Sequence, residues 1–431
     1  MKKWLLPGAL LVILLLISVF LINLPSNKGS SVPIKTFGVD VPLIQIELGS
    51  MGVEEFRDSW KDVRAYDGTL TLESSGTIRK YGDIEVSGRG NSSWMTDKKP
   101  FQVKLGKKSD FLNLGKAKKW VYVPNAYDKS FMRNDVAYIL AEMLGENTER
   151  RGRYAEVILD DSYEGLYYVM RKVEIGKGAV DLRDIHGLLV ELDNVHNEAE
   201  VCYHSLAGNC VVLQDSVAKD DEFQAEEAMR NFMKDFNQLE VAAEKGDYEK
   251  VEKLIDVKSF VDYYLVNEFT VNPDAYSSSF YMYRDGEGDK IHAGPVWDFD
   301  LAFGNKAWPW TKEEMKELTT RILIREDDVF GKNGHEADLN TARLFYYLMK
   351  IPEFKVEVGR VFVEKMSGKE PEIEAKVVAT QNMIDAAAKR DGSRWPDENA
   401  RKFDEETEEL LQFIRERYSY FEEVYGIKNH E

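Results

Sequence analysis

Three aspartates flank one short hairpin, and carboxylates so arranged can hold a hard cation or move a proton. Asp274 follows a helical stretch, in Asn272-Pro-Asp-Ala-Tyr-Ser-Ser-Ser-Phe-Tyr-Met-Tyr283. Asp298 and Asp300 stand in Gly294-Pro-Val-Trp-Asp-Phe-Asp-Leu-Ala-Phe-Gly304. Between them an Asp285-Gly-Glu-Gly288 turn joins two strand-like runs. Closing that hairpin brings its ends together, so carboxylates 24 and 26 residues apart converge. If 298–300 is extended, Asp298 and Asp300 are i and i+2 of a strand and point to one face. Adjacent carboxylates repel, and Mg2+ or Mn2+ is the usual compensation. Two plainer readings compete: turn-capping aspartates paired with basic residues, and the carboxylate pair of a glycoside hydrolase.

The same order of parts serves phosphoryl transfer. There an Asp takes the attacking hydroxyl's proton and an Asn five residues on binds metal; a hairpin follows, then a metal-binding Asp beside Phe. Five residues after Asp274 stands Ser279, so the Asn position carries a hydroxyl. On this plan Asp274 is the base, and Asp298, Asp300 and Ser279 hold the metal. Upstream, Gly88-Arg-Gly-Asn-Ser-Ser93 has a matching use: its glycines let backbone N–H groups approach phosphates, and Arg89 adds charge. Gly90, Asn91 and Ser93 are the nucleotide-binding candidates beside Arg89. Lys104, 14 residues after Gly90 on a strand, is comparable to the lysine that reaches phosphates in kinases. Lys99 competes with it, because alternation can aim either one inward. Arg133 either serves the phosphates or pairs with Asp128 or Asp135.

Positioning these groups requires a sizeable fold. The 431 residues are 43% hydrophobic, 12% aromatic and 31% charged, a globular profile long enough for one bilobal domain or two ordinary ones. A net charge of −19 argues against general binding to nucleic acid or anionic lipid. Two cysteines exclude a disulfide-stapled miniprotein and a multi-zinc scaffold. From Val41 to about Leu213 short strands predominate, interrupted by one helix from Ser130 to Leu144. After Asp220 the pattern is helical, with amphipathic stretches over 223–243 and 260–269. The expected class is α+β, with a strand-rich region over 38–220 and a helix-rich region over 221–431.

The chain opens on Lys2 and Lys3, then residues 4–27 carry no charge, enough for a membrane-spanning helix. The lysines predict an N-inside orientation, with residues 1–27 an uncleaved signal anchor, 28–37 a Pro/Ser/Gly-rich linker and the body outside the cytoplasm. Cys202 and Cys210 then lie where a disulfide persists; disulfide or free thiols are preferred over a metal site with His196 and His204, whose spacing fits no structural zinc pattern.

An ordered series of motifs makes the chain resemble the CotH kinase family, an atypical branch of the protein-kinase-like fold. It comprises Arg89-Gly-Asn-Ser-Ser-Trp94, Lys98-Lys-Pro-Phe-Gln-Val-Lys-Leu105, Trp120-Val-Tyr-Val-Pro-Asn125 and Asp128-Lys-Ser-Phe-Met-Arg-Asn134. Tyr163-Glu-Gly-Leu-Tyr167, Val173-Glu-Ile-Gly176 and Trp297-Asp-Phe-Asp-Leu-Ala-Phe-Gly304 complete it. The resemblance implies a bilobal fold and ATP-dependent transfer to Ser or Thr hydroxyls of proteins at the cell or spore surface. It also implies Asp274 as base and Asp298 or Asp300 as ligand of Mg2+ or Mn2+, while the net charge leaves no nucleic-acid partner expected. Two departures from the family pattern, at Val169-Met-Arg-Lys172 and Val211-Val-Leu-Gln-Asp215, support an alternative: a kinase-like surface scaffold without turnover. A third reading, a carbohydrate-processing surface enzyme, rests on Trp308-Pro-Trp310.

Overall fold

A computed structural model describes residues 40–146, 150–194, 201–276, 278–307, 311–324, 340–396 and 402–426. The expected anchor, linker, His196 and Trp308-Pro-Trp310 lie outside these residues. No helix among the described residues is long and apolar enough to cross a membrane.

The first half is a closed barrel. Its strands are β1 (Leu43–Glu47), β2 (Arg64–Ser74), β3 (Thr77–Gly88), β4 (Phe101–Asp110), β5 (Lys116–Val123), β6 (Arg153–Leu159) and β7 (Ser162–Arg171). The order is β1-β2-β3-β4-β5-β7-β6, and β1 closes it by pairing parallel with β6, Leu43 opposite Glu156. Alternation explains the interior: Ile44 and Ile46, Phe101, Val103 and Leu105, and Trp120 and Tyr122 all turn inward and are buried. Phe101 stacks on Tyr122 with centroids 4.5 Å apart. Tight turns follow from residues that accept positive φ, Ser75 and Gly76 at one hairpin tip and Asp160 at another. The Asp160 carboxylate then accepts from Leu48 N and Val53 N, each at 3.0 Å, tying that tip to the start of α1 (Val53–Asp58).

One outer face of the barrel is apolar as well. Val121, Leu166, Tyr168 and Met170 pack into the main core with α2 (Arg133–Leu144) and the helical half. A second sheet, β12-β11-β8-β10-β9, comprises β8 (Leu188–Leu192), β9 (Cys202–His204), β10 (Cys210–Ser216), β11 (Phe280–Arg284) and β12 (His292–Ala293). It draws strands from both sides of residue 220. Cys202 and Cys210 are bonded, with Cα atoms 5.4 Å apart.

Helices supply the rest: α3 (Glu222–Lys245), α4 (Tyr248–Leu254), α5 (Val257–Thr270), α6 (Lys312–Glu317), α7 (Asn340–Leu348), α8 (Pro352–Lys365), α9 (Glu370–Arg394) and α10 (Phe403–Tyr425). Asp221, Asp247 and Asp256 cap three of them by accepting from Gln224 N, Lys250 N and Ser259 N, each cap contributing about 1 kcal/mol. The described chain is thus mixed α+β, strand-rich first and helical after. Two buried cations join its parts. Lys98, entering β4, pairs with Asp391 of α9 and donates to Leu166 O at 2.6 Å. Arg417 of α10, fully buried, donates to the carbonyls of Glu268, Phe269 and Arg321.

Candidate functional site

The cleft lies where the glycine turn after β3 faces the segment after β12. Arg89, Gly90, Ser93, Pro100, Val123, Tyr127, Asn134, Met170, Trp297, Asp298 and Asp300 line it, with Pro124 and Ala126. Gly90 has φ 76°, and a Cβ there would meet Ser93 Oγ at 2.1 Å, so the turn needs glycine. The Arg89 guanidinium lies 5.2 Å from the Trp297 ring centroid.

The acidic wall is built from three crossing segments. α5 ends at Val271, in the left-handed region with φ 49°. Asn272 then braces both aspartate segments: its Oδ1 accepts from Asp274 N at 3.2 Å and its Nδ2 donates to Asp298 O at 3.1 Å. Asn134, in the first turn of α2, accepts from Phe299 N at 3.1 Å. Asn305 Nδ2 donates to Asp300 O at 2.6 Å and to Tyr127 O at 3.0 Å. The Val296 peptide is gripped on both sides, its carbonyl by Tyr138 OH at 3.1 Å and its N–H by Glu146, whose carboxyl burial pushes up to about 7.

Asp298 has φ 65°, so residues 298–300 are not extended. The strand alternation expected for Asp298 and Asp300 is therefore corrected: a left-handed turn, which aspartate tolerates better than most side chains, brings them together. Burial raises the Asp300 carboxyl well above the usual range, and the Asp298 charge, a hydrogen bond to Asp298 and the Asp274 charge raise it further. All three aspartates therefore share one electrostatic neighbourhood. Ser279 Oγ approaches Asp298 Oδ2 only to 3.5 Å.

Several other candidates stand away from the cleft. On β4 the barrel interior takes Phe101, Val103 and Leu105, which leaves Lys104 on the outside, donating to Glu85 at 2.7 Å. Lys99 donates to Trp94 O at 2.8 Å and stacks on that ring. Asn91 is exposed and accepts from Lys61. Arg133 is buried, ion-paired with Asp128 and with Glu406 at 3.2 Å, and donates to Ala302 O at 3.1 Å, which settles it as a brace rather than a phosphate ligand. Asn134 escaped the sequence reading, although it stands beside Arg133 in a quoted motif. Its Nδ2 is buried, lines the cleft and has no hydrogen-bond partner.

Among the described residues, no group of three or more His, Cys, Asp or Glu side chains is gathered to hold a metal ion. Asp298 and Asp300 do fit Mg2+ carried by a phosphate ligand, which needs only one or two carboxylates and keeps several waters. The proton-holding tendency of Asp300 is what a bound cation would reverse. An orphaned amide donor at Asn134 and the uncovered glycine turn likewise fit a phosphate group. A sequence model of the family described as CotH kinase protein matches residues 86–421. No curated protein matches the chain.

Proposed function

The chain belongs to the CotH kinase family, whose name points to a kinase-like activity, and from that premise we propose a membrane-anchored, extracytoplasmic kinase with a kinase-like bilobal layout. It transfers the ATP γ-phosphoryl group to Ser or Thr hydroxyls of surface or coat proteins. The observation that carries this reading is the pairing of Asp298 and Asp300 in one cleft with the Gly90 turn, with the Asp274 charge close enough to act on Asp300. Asp274 orients the attacking hydroxyl and accepts its proton at a carboxylate oxygen. Asp298 and Asp300 would hold a divalent cation, whose charge would offset that of the phosphates. Gly90 and Ser93 shape the opposite wall, and Trp297 with Met170 excludes water beside it.

Purified full-length protein incubated with labelled ATP and Mg2+ or Mn2+ should autophosphorylate or label an added protein. Total inactivity with both metals would remove the reading. A second reading, a surface scaffold that keeps the fold without turnover, is favoured by one observation: among the described residues, no group of three or more His, Cys, Asp or Glu side chains is gathered to hold a metal. Binding of Mg·ATP without transfer would decide for the scaffold.

A further inference from the structure

With Lys104 turned away, no lysine lines the cleft among the described residues, and β7, whose Met170 does line it, ends one residue before Lys172. On β7 and β5, Met170 opposes Val121 on the outer face, and Met170 lines the cleft. Lys172 stands two residues further on, roughly 7 Å along the same face. Its N–H donates to Lys119 O at 3.3 Å, continuing the ladder. The two nearby carboxylates are already engaged: Glu174 faces Lys119 at 3.5 Å, and Asp215 accepts from Ile175 N and Lys219. Among the described residues, the Lys172 ammonium makes no hydrogen bond or ion pair, and the Arg89 guanidinium has only its Trp297 ring. Burial, then the Lys119 and Arg89 charges, hold Lys172 below the usual lysine range. Uncommitted cations crowded together, on a chain of net charge −19, are held at a cost that a bound anion relieves.

We propose that Lys172 and Arg89 at the lip, with the Asn134 amide on the floor, form the seat for the nucleotide's phosphate chain, Lys172 taking the place expected of Lys104. This rests on the kinase reading for its ligand, though the seat itself recognises any polyphosphate. The unpartnered Asn134 Nδ2 is an independent pointer to the same ligand, because a buried donor without an acceptor is destabilising until an acceptor reaches it.

Calorimetric titration of the full chain with Mg·ATP, adenosine and inorganic tripolyphosphate tests it. Lys172→Met should weaken Mg·ATP and tripolyphosphate about 10-fold or more and leave adenosine unchanged. Lys172→Arg should retain most of the binding, and Lys104→Met should stay within about twofold of wild type. Wild-type affinity in Lys172→Met overturns the seat and leaves the kinase reading standing. So does a loss that extends equally to adenosine, which marks general damage to the cleft. If the wild type binds tripolyphosphate through Lys172 but not Mg·ATP, the seat stands and the kinase reading falls. If it binds neither, both fall.

Discussion

The two sides of the cleft are built on opposite terms. On the acidic side, the backbone around the aspartates is tied down by side chains: Asn272, Asn134, Asn305 and Tyr138 each hold a peptide group within three residues of Asp274, Asp298 or Asp300. Buried Arg133 and Arg417 brace the same wall from behind. On the basic side, Arg89 and Lys172 follow directly on the ends of β3 and β7, and among the described residues no carboxylate is bonded to either. The difference teaches which groups answer to folding and which to a ligand. Satisfied polar groups fix geometry, whereas unsatisfied ones store binding capacity at the expense of stability.

The sharpest way to break this comparison is Asp274→Asn. Shape and capping ability persist, so the melting temperature should hold while phosphotransfer falls by roughly 10²-fold or more. Near wild-type turnover would reduce Asp274 to a turn residue. A large effect is also expected behind the acidic wall, at Glu268. Its carboxyl accepts from Leu323 N at 2.7 Å and Ile324 N at 3.2 Å, and burial pushes it up to about 7 from 4.5. A carboxyl raised on folding contributes fully below its unfolded value, and that contribution is lost as pH rises through the folded value. Stability should therefore fall by roughly 3 kcal/mol between about pH 4.5 and 7 on account of Glu268. Glu268→Gln should flatten the dependence of the unfolding midpoint on pH, with Glu146, Asp262 and the other carboxyls raised by burial supplying what slope remains; an unaltered slope would contradict the assignment.

Smaller effects sharpen the distinction. Asn272→Ala removes the brace shared by the Asp274 and Asp298 segments and should cost about 1–3 kcal/mol in denaturant unfolding, with a drop in turnover. A loss of activity with no loss of stability would mean that Asn272 meets substrate instead. Asp300→Asn relieves a buried carboxyl pressed by Asp298, so it should raise the metal-free melting temperature by about 1 °C, equivalent to about 1 kcal/mol. It should also weaken Mg2+-dependent nucleotide binding. A lowered melting temperature would show that the carboxyl is held in place by bonds worth more than the repulsion.

Much of the architecture is legible in the residues. The helix before Asp274, the Gly-rich turn and the strands around it carry local signals, and β11 and β12 pair as that hairpin implies, Met282 opposite Ala293. The barrel strands and the change to helices after residue 220 follow from period and turn chemistry. Side-chain direction is harder. Alternation on β4 leaves two settings open, and only the closed barrel, which needs Phe101, Val103 and Leu105 inside, decides against Lys104. The left-handed Asp298 has no local signal, because it depends on Asn272 and Asn134 from distant segments. Lys172 is invisible without knowing which face of β7 meets the cleft.

The barrel's closure sets a practical boundary. The family match begins at residue 86, but β1, β2 and most of β3 precede it. A fragment trimmed to that match would strip β6 and β4 of their partners, since β1 pairs with β6 and β3 with β4. Two raw strand edges, flanked by the apolar interior they once enclosed, are templates for sheet growth between molecules. Such a fragment should run as large assemblies in size-exclusion chromatography, whereas one beginning at residue 40 should not. The segment that the family shares is thus shorter than the segment that must fold.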